Sequence, residues 1–332
     1  MDPLTHTLVG AALGRAGLNR WCPRAAALLM VAANAPDIDV VTAAGGSLAY
    51  LDYHRQITHS LTLVPVLAVL SVGVVSAYHP SGVNLRRNWL RMMMVALAGV
   101  LVHLLLDWTN VYGVRLLLPF SGSWKRLDIT HVVDLWVWVI LLLAFVAPFL
   151  SRLVAAEIGG RRGSGRGAAI LSLLLLAGYD GARVVLHQRA VAVLESRIYA
   201  GEAPLRVIAV PGPFHAFRWR GLVETGSAWL VFDLNLLGEF DPSAGQVLGK
   251  PEASRALEAA RASEVFRHFL AFSQAPYWRV IPMDEPEHSV RVEAMDLRFG
   301  LPAERRFLTT AQVDREGRVT RAEFRFGPVG RR

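Results

Sequence analysis

The sequence has little cysteine and, over nearly half its length, no glutamate. A single cysteine, Cys22, excludes an internal disulfide and a zinc cluster built on cysteine ligands. Residues 1–156 contain no glutamate, although this good helix former is normally common on solvated helix faces. The same stretch contains aspartates at positions 2, 37, 39, 52, 107, 128 and 134. Short carboxylates used alone indicate roles in ligation or helix capping rather than in solvation.

A basic leader is missing as well. The chain opens Met1-Asp2-Pro3, without the positively charged start of a secretory signal, so we expect no cleaved signal peptide. The net charge of +8 could indicate nucleic-acid binding, but many arginines fall in short loops between apolar runs. That placement is typical of membrane topology, and we expect no nucleic-acid partner.

The first part of the chain is rich in apolar residues. Apolar residues make up 53% of the protein. Four runs have the roughly 17–25 residues that a membrane-spanning helix needs, at 60–78, 89–107, 132–150 and 168–186. Residues 25–35 form a shorter helix candidate that ends before Pro36. Residues 4–18 are too short to span, and their small residues favour a closely packed re-entrant helix.

Basic loops set the predicted orientation. The loops at 15–24, 79–88 and 151–167 carry the arginines, so the positive-inside rule places them in the cytoplasm. The loops at 40–59 and 108–131, and everything after about residue 187, then lie on the outer side. The localisation predicted is a bacterial-type inner membrane, crossed several times.

The last third of the chain reads as a soluble domain. Strands with turn residues between them are predicted at 206–210, 214–224, 227–235, 278–283, 289–299, 306–314 and 318–326. A helix is predicted at 253–272. The predicted fold class is therefore a mainly α-helical membrane domain over residues 1–190, with four to five spanning helices and a short re-entrant helix. A soluble α+β domain over 191–332 follows it on the outer side.

Histidines and aspartates that can bind a divalent metal interrupt the apolar runs. His103 and Asp107 are four residues apart and share one helix face. His54 and His59 are five apart, so one is expected in a loop and the other in the first turn of a helix. The plainer alternative for each pair is helix capping or packing, but ionisable groups at the end of an apolar helix are costly without a partner.

Four further residues are candidate ligands on less distinctive patterns. Asp37 and Asp39 follow the helix break at Pro36, where they either end a helix or, as their depth in the membrane favours, bind metal or join a buried network. His6 is as readily a packing residue as a ligand. Asp134 belongs to an outer loop in which aspartate could simply be solvated. The predicted topology nevertheless brings every cluster to the same membrane face, which favours one metal site.

Four motifs in this order resemble the YdjM-type family of membrane-bound, metal-dependent hydrolases. They are Asp2-Pro-Leu-Thr-His6, Pro36-Asp-Ile-Asp39, His54-Arg-x-x-Thr-His-Ser60 and His103-x-x-x-Asp107, and they cover roughly residues 1–150. The resemblance implies an inner-membrane protein with a divalent-metal site and a hydrolase activity. The implied metal ligands are His6, Asp37, Asp39, His54, His59, His103, Asp107 and Asp134. At the last of these, relatives often show Asp-Pro, whereas this chain has Leu135.

The predicted chemistry is hydrolysis by a metal-activated water. One to three Zn²⁺ ions are expected, with Mn²⁺ and Mg²⁺ as alternatives, and such ions lower the pKa of bound water to about 7. Arg55 and Asp39 are the predicted catalytic residues. Arg55 either grips an anionic substrate oxygen or anchors Asp37 or Asp39. A site at the membrane face favours a lipid-linked phosphoester drawn from the leaflet, with membrane lipid as the partner.

Two other functions fit the same residues. The ionisable groups could line the pathway of an ion or proton transporter, although they gather at one face and no inverted repeat is visible. The chain could also be a non-catalytic membrane scaffold whose soluble domain binds a partner. Metal content followed by a hydrolysis assay distinguishes these functions.

Overall fold

Long apolar helices occupy the first 195 residues, and strands occupy most of the rest. The computed structural model describes residues 1–78, 85–157, 159, 164–283 and 289–327, with the backbone alone for 85–87. Helices α1 to α8 are Pro3–Leu13, Asn19–Trp21, Ala25–Ala32, Ser47–Tyr53, Val64–Tyr78, Leu85–Thr109, Leu135–Glu157 and Arg166–Glu195. A π-helical turn, Gly14–Leu18, follows α1, and 3-10 turns occupy Pro36–Gly45, Ile57–His59 and Leu61–Leu63.

Five stretches are long and apolar enough to cross a membrane. They are Ala25–Gly45, Leu61–Tyr78, Asn88–Thr109, Leu135–Glu157 and Arg166–Glu195. Most of the apolar surface of the last two is not buried inside the protein, since only 17% and 22% of their most apolar windows are buried. Such faces need an apolar surrounding, which a lipid bilayer supplies.

The chain divides into two units. The helical unit comprises residues 1–39, 55–187 and 211–216, and the sheet unit comprises 40–54, 188–210 and 217–332. Helices followed by a β-rich part confirm the predicted fold class of a helical membrane domain and a soluble α+β domain. The predicted domain boundary at residue 190 stays a prediction.

Small residues allow the helices of the helical unit to pack closely. A Cβ atom at Gly10 of α1 would lie 2.9 Å from the backbone of Leu29 in α3, and one at Gly99 of α6 would lie 2.7 Å from Cβ of Ala32. No larger residue fits at such crossings without displacing a helix. The small face of the first helix, noted from the sequence, is thus a packing face. A core of apolar side chains from α3, α5 and α6 lies beside it.

Three chain segments meet at one end of the helical unit. Nε1 of Trp138, near the start of α7, donates to Oδ2 of Asp2 at 3.2 Å. Arg55 donates to the carbonyl oxygen of Met1 at 3.2 Å and contacts Asp107 near the end of α6. The starts of α1 and α7 and the end of α6 therefore lie together. Tryptophans flank this end at positions 108, 136 and 138, as is common where helices enter the membrane interface.

Part of the predicted topology falls outside the described residues. This applies to residues 79–84 of the first basic connector and to residues 158 and 160–163 of the second. His79 and His288 also lie outside the described residues. The orientation of the protein in the membrane stays a prediction.

The sheet unit contains two four-stranded sheets, ordered β1-β2-β3-β4 and β5-β6-β7-β8. The strands are Arg206–Pro211, Arg218–Glu224, Ala228–Asn235, Gln246–Gly249, Pro276–Pro282, Val290–Asp296, Leu308–Val313 and Val319–Arg325. The pairings β2/β3, β3/β4 and all those of the second sheet are antiparallel. Helices α9 and α10, Arg255–Ala262 and Glu264–Phe272, join the sheets. The single helix predicted at 253–272 is therefore two, because Ser263 adopts an extended conformation between them.

Candidate metal centre

His103 presents one ring nitrogen to the interior of the helical unit from the second-last turn of α6. Its side chain is fully buried, and Nδ1 lies 2.7 Å from the carbonyl oxygen of Ala33. A carbonyl oxygen can only accept a hydrogen bond, so Nδ1 carries the proton. The lone pair of Nε2 is therefore free to accept. Asp107, one helical turn later, is also fully buried.

His59 is oriented in the same manner by a carboxylate. Its Nδ1 lies 3.0 Å from Oγ1 of Thr58 and 3.3 Å from Oδ2 of Asp39. The Thr58 hydroxyl donates to that same Asp39 oxygen at 2.7 Å, which leaves its own lone pairs to accept from Nδ1. With the proton on Nδ1, the Nε2 lone pair of His59 faces away from Asp39. A carboxylate behind a histidine ring is a common outer support of metal-binding imidazoles.

The Nε2 atoms of the two imidazoles face each other. Nε2 of His59 and Nε2 of His103 are 3.0 Å apart. Oδ2 of Asp107 lies 3.3 Å from the first and 3.4 Å from the second. Oδ1 of Asp37 lies 3.4 Å and 3.7 Å from the same two atoms. Acceptors gathered this closely in a buried place repel one another unless a cation or a proton lies among them.

The distances suit a divalent cation. Zinc bound at about 2.0–2.2 Å by four tetrahedral donors holds those donors about 3.3–3.6 Å apart. The five donor separations above span 3.0 to 3.7 Å. One ligand atom from each of Asp37, His59, His103 and Asp107 lies within 4.8 Å of the others. These four residues could therefore hold a divalent metal, and we call them the donor group.

Arg55 anchors Asp107. The Arg55 side chain is buried, and its Nε lies 3.2 Å from Oδ2 of Asp107. One terminal nitrogen donates to Oδ1 of Asn110 at 3.1 Å, and the guanidinium carbon lies 5.0 Å from the centre of the Tyr112 ring. The sequence left Arg55 open as a substrate contact or as an anchor for Asp37 or Asp39. The contacts favour an anchor, but for a different carboxylate.

His6 lies beside the donor group rather than within it. Its ring stacks on His103 with centroids 3.9 Å apart, and its Nε2 lies 3.4 Å from Oδ1 of Asp107. The amino nitrogen of Met1 contacts that same oxygen. Neither ring nitrogen of His6 makes a hydrogen bond to any residue that the structure describes. His6 thus contacts two residues of the donor group, His103 and Asp107.

Three other predicted site residues are not members of the donor group. Asp39 lies behind His59, where it also accepts from the backbone nitrogen of Arg55 at 2.9 Å. Asp134 precedes α7, accepting from the backbone nitrogen of Trp136 and from the hydroxyl of Tyr179. His54 belongs to the sheet unit, where its ring stacks on Tyr50 at 4.4 Å. The assignment of these residues as metal ligands stays a prediction.

Asn110 also supports the donor group, although the sequence did not predict it. Its fully buried amide donates to Oδ1 of Asp107 at 3.3 Å, and its Oδ1 accepts from Arg55 and from the backbone nitrogen of Tyr112. An available signal was its spacing of three residues from Asp107, which places both side chains on one face of a helix end. The carbonyl of Ala33, which orients His103, leaves no such signal because any residue supplies a carbonyl.

Comparisons with known proteins show the family to which the chain belongs. The chain is 28% identical over 314 residues to a protein of Bacillus subtilis (strain 168) described as uncharacterized protein YfhP, covering 90% of this chain and 87% of that one. No solved structure matches. The sequence profile described as YdjM inner membrane protein matches residues 1–190, which include the whole donor group and all five candidate spans except the end of the last. The chain is therefore a member of the YdjM family of inner membrane proteins.

Proposed function

We propose that this protein is a membrane-bound, metal-dependent hydrolase that acts on a lipid-linked phosphoester. The observation that carries the proposal is the pair of imidazole Nε2 atoms, 3.0 Å apart, with carboxylate oxygens of Asp37 and Asp107 beside them. A divalent cation in such a group supplies Lewis-acid activation of water near neutral pH. Histidine and aspartate together suit zinc best, with manganese as the alternative.

Each residue near the group has a distinct task in this proposal. His59, His103, Asp37 and Asp107 hold the cation. Asp39 and the Ala33 carbonyl fix the protons on the outer nitrogens of the two imidazoles, which keeps the inner nitrogens available. Arg55 and Asn110 hold the carboxylate of Asp107 in place.

Asp37 faces the direction from which a substrate would arrive. Its side chain is 17% exposed, whereas those of His59, His103 and Asp107 are fully buried. Four protein ligands complete a tetrahedral zinc site, and catalytic zinc sites keep one position open. We therefore assign Asp37 as the ligand that shares its place with water or substrate, and as the carboxylate able to accept a proton there.

Apolar side chains beside the group favour a substrate that comes from the membrane. Ile38, next to Asp37, is 61% exposed, and Ile57, next to Thr58, is 60% exposed. Leu61 is also exposed and follows the same loop. Exposed aliphatic side chains around a polar centre suit a ligand with an apolar tail and a polar head. A phosphoester head group fits a cationic centre because it brings anionic oxygens.

The test is metal analysis followed by turnover of the full chain in lipid nanodiscs. We expect bound divalent metal in the purified protein, and chelator-sensitive hydrolysis of lipid-linked phosphoesters in preference to soluble ones. His103→Ala should abolish both. His215→Ala, which changes an exposed histidine outside the donor group, should preserve both. A protein without metal would refute the site, and a metal-bound protein that hydrolyses nothing would favour the transporter or scaffold function.

The outer location of the site is tested by cysteine labelling. In a Cys22→Ala background, Gly122→Cys lies in the exposed loop after α6, and Glu157→Cys lies at the exposed end of α7. A membrane-impermeant reagent applied from outside should label the first and spare the second. The reverse result would place the site at the cytoplasmic face.

A further inference from the structure

We propose that the sheet unit positions the metal centre by holding the connecting segment, residues 40–54, in place. This inference rests on the proposed metal site. The connecting segment belongs to the sheet unit, yet it begins directly after Asp39 and ends directly before Arg55. Both of these flanking residues support the donor group. Contacts made by the segment within the sheet unit therefore bear on the site through the chain itself.

The two ends of the segment are tied to the donor group and to each other. The backbone nitrogen of Arg55 donates to Oδ2 of Asp39 at 2.9 Å. Asp39 faces Nδ1 of His59, and Arg55 faces Oδ2 of Asp107. A shift of either end consequently moves a group that orients a donor.

Within the sheet unit, α4 of the connecting segment docks on α10 and β8. Oδ1 of Asp52 lies 2.5 Å from Nδ1 of His268 on α10. The Tyr50 ring meets Phe326, just after β8, edge to face with centroids 5.3 Å apart. Tyr50 also stacks on His54, the residue before Arg55. Within the sheet unit, ring contacts thus connect Phe326 through Tyr50 to His54, the residue before Arg55.

Docking is needed because the helical turns of this segment are too short to be stable without tertiary contacts. Helix α4 has seven residues, and helices shorter than about 12 residues are marginal in water. Two glycines precede it, and Gly46 has a φ of +94°, which other residues rarely adopt. Undocked, this stretch would leave Asp39 and Arg55 joined by a flexible loop. When it is docked, the connecting segment keeps Asp39 and Arg55 in their places before the metal binds.

The experiment measures metal affinity in the full chain with substitutions far in sequence from the donor group. Zn²⁺ affinity is measured by competition with a chromophoric chelator, and Co²⁺ absorption reports the ligand geometry. Phe326→Ala should raise the Kd for metal roughly tenfold, as loss of an outer support often does. His268→Ala should raise it roughly threefold to fivefold, since the pair with Asp52 is partly exposed. Both should alter the Co²⁺ spectrum.

Two further variants separate positioning from general damage. Exchanging the partners, as Asp52→His with His268→Asp, should restore the affinity that either substitution alone loses. Asp314→Asn removes the ion pair with Arg318 elsewhere in the sheet unit and should leave Kd and spectrum unchanged. If wild-type protein binds metal and all variants match it, the positioning role is refuted while the metal site stands. If wild-type protein binds no metal, the proposed function itself fails.

Discussion

Asp296 in the sheet unit and Asp107 in the helical unit are both buried carboxylates, but their surroundings differ in charge balance. Asp296 accepts from Nε and a terminal nitrogen of Arg298 at 3.0 and 2.7 Å, and from the backbone nitrogens of Gln274 and Arg298. The guanidinium of Arg298 also lies over the Phe272 and Phe299 rings. The protein itself thus supplies the hydrogen bonds and the opposite charge that this carboxylate needs.

Asp107 shares its surroundings with further acceptors. Arg55 and the amino group of Met1 contact Asp107, but the carboxylates of Asp37 and Asp39 and two imidazole lone pairs lie in the same small region. Oδ2 of Asp107 is ion-paired with Nε of Arg55 at 3.2 Å but accepts no hydrogen bond from the described residues. Burial of charge is therefore not by itself a sign of a functional site. A pair that neutralises itself serves the fold, whereas an excess of acceptors indicates a place for a cation.

The largest effect is expected from breaking the balanced pair. Asp296→Asn leaves the buried guanidinium of Arg298 without its charge partner, which typically costs about 3–5 kcal/mol. Hydrogen exchange should show the loss in β5 to β8 of the sheet unit. The Asp314→Asn variant, which removes an exposed ion pair, should cost less than about 1 kcal/mol. Equal protection in both variants would contradict the assigned importance of Asp296.

The pH dependence of the same pair has a definite sign. Burial raises the pKa of Asp296, but the charge of Arg298 and the hydrogen bonds to the carboxylate outweigh burial and lower the pKa below its ordinary value. The unfolded chain then binds the proton at a higher pH than the folded one. The stabilisation is complete above pH of about 4 and is lost as the pH falls through the lowered pKa. Wild-type protein should show this loss, and Asp296→Asn should not.

Removing the metal should have the next largest effect and should act on the other unit. A cation at 100 times its Kd stabilises the state that binds it by about 2.7 kcal/mol. Chelation should therefore increase hydrogen exchange near the end of α6 and in residues 55–60, while β5 to β8 stay unchanged. Equal loss in both units would indicate general unfolding, and no loss in either would contradict a metal-stabilised helical unit.

Arg55→Lys tests the anchor at the donor group. Lysine keeps the charge but cannot reach Asp107, Asn110 and the Met1 carbonyl together. We expect metal affinity to fall about 10- to 100-fold, with hydrolysis recovering as metal is added. A metal titration against turnover decides the matter. Unchanged affinity with a lost rate would instead support the substrate contact that the sequence left open.

The smallest effect is expected at Thr58. Thr58→Val keeps the shape of the side chain but removes the hydroxyl that bonds Asp39 at 2.7 Å. A hydrogen bond to a charged group contributes about 1.5–3 kcal/mol. Because Asp39 orients His59, we expect part of this energy to be lost from metal binding, which would lower the affinity severalfold. Thr58→Ser, which keeps the hydroxyl, should bind metal as the wild type does. Similar affinities for both variants would show that Asp39 orients His59 unaided.

Local sequence patterns predicted most of the helices and strands but missed short elements. The apolar runs predicted the long helices, since length and hydropathy dictate a spanning helix with little help from the surroundings. The sequence did not predict β4, Gln246–Gly249, a short strand at the edge of its sheet that pairs only with β3. Its pairing is set by a neighbouring strand rather than by an alternating pattern of its own. The break between α9 and α10 at Ser263 was also not predicted.

Sequence alone determined that histidines and aspartates would occur at the ends of apolar segments, and helical spacing joined His103 to Asp107. Tertiary structure decided which of them meet. Asp37, His59, His103 and Asp107 come from three segments far apart in the chain, and only packing brings their atoms within 4.8 Å. It also decided that Arg55 holds Asp107 and that residues 40–54 belong to the sheet unit. Spacing fixes neighbours along one helix, whereas contacts between segments depend on how the whole chain packs.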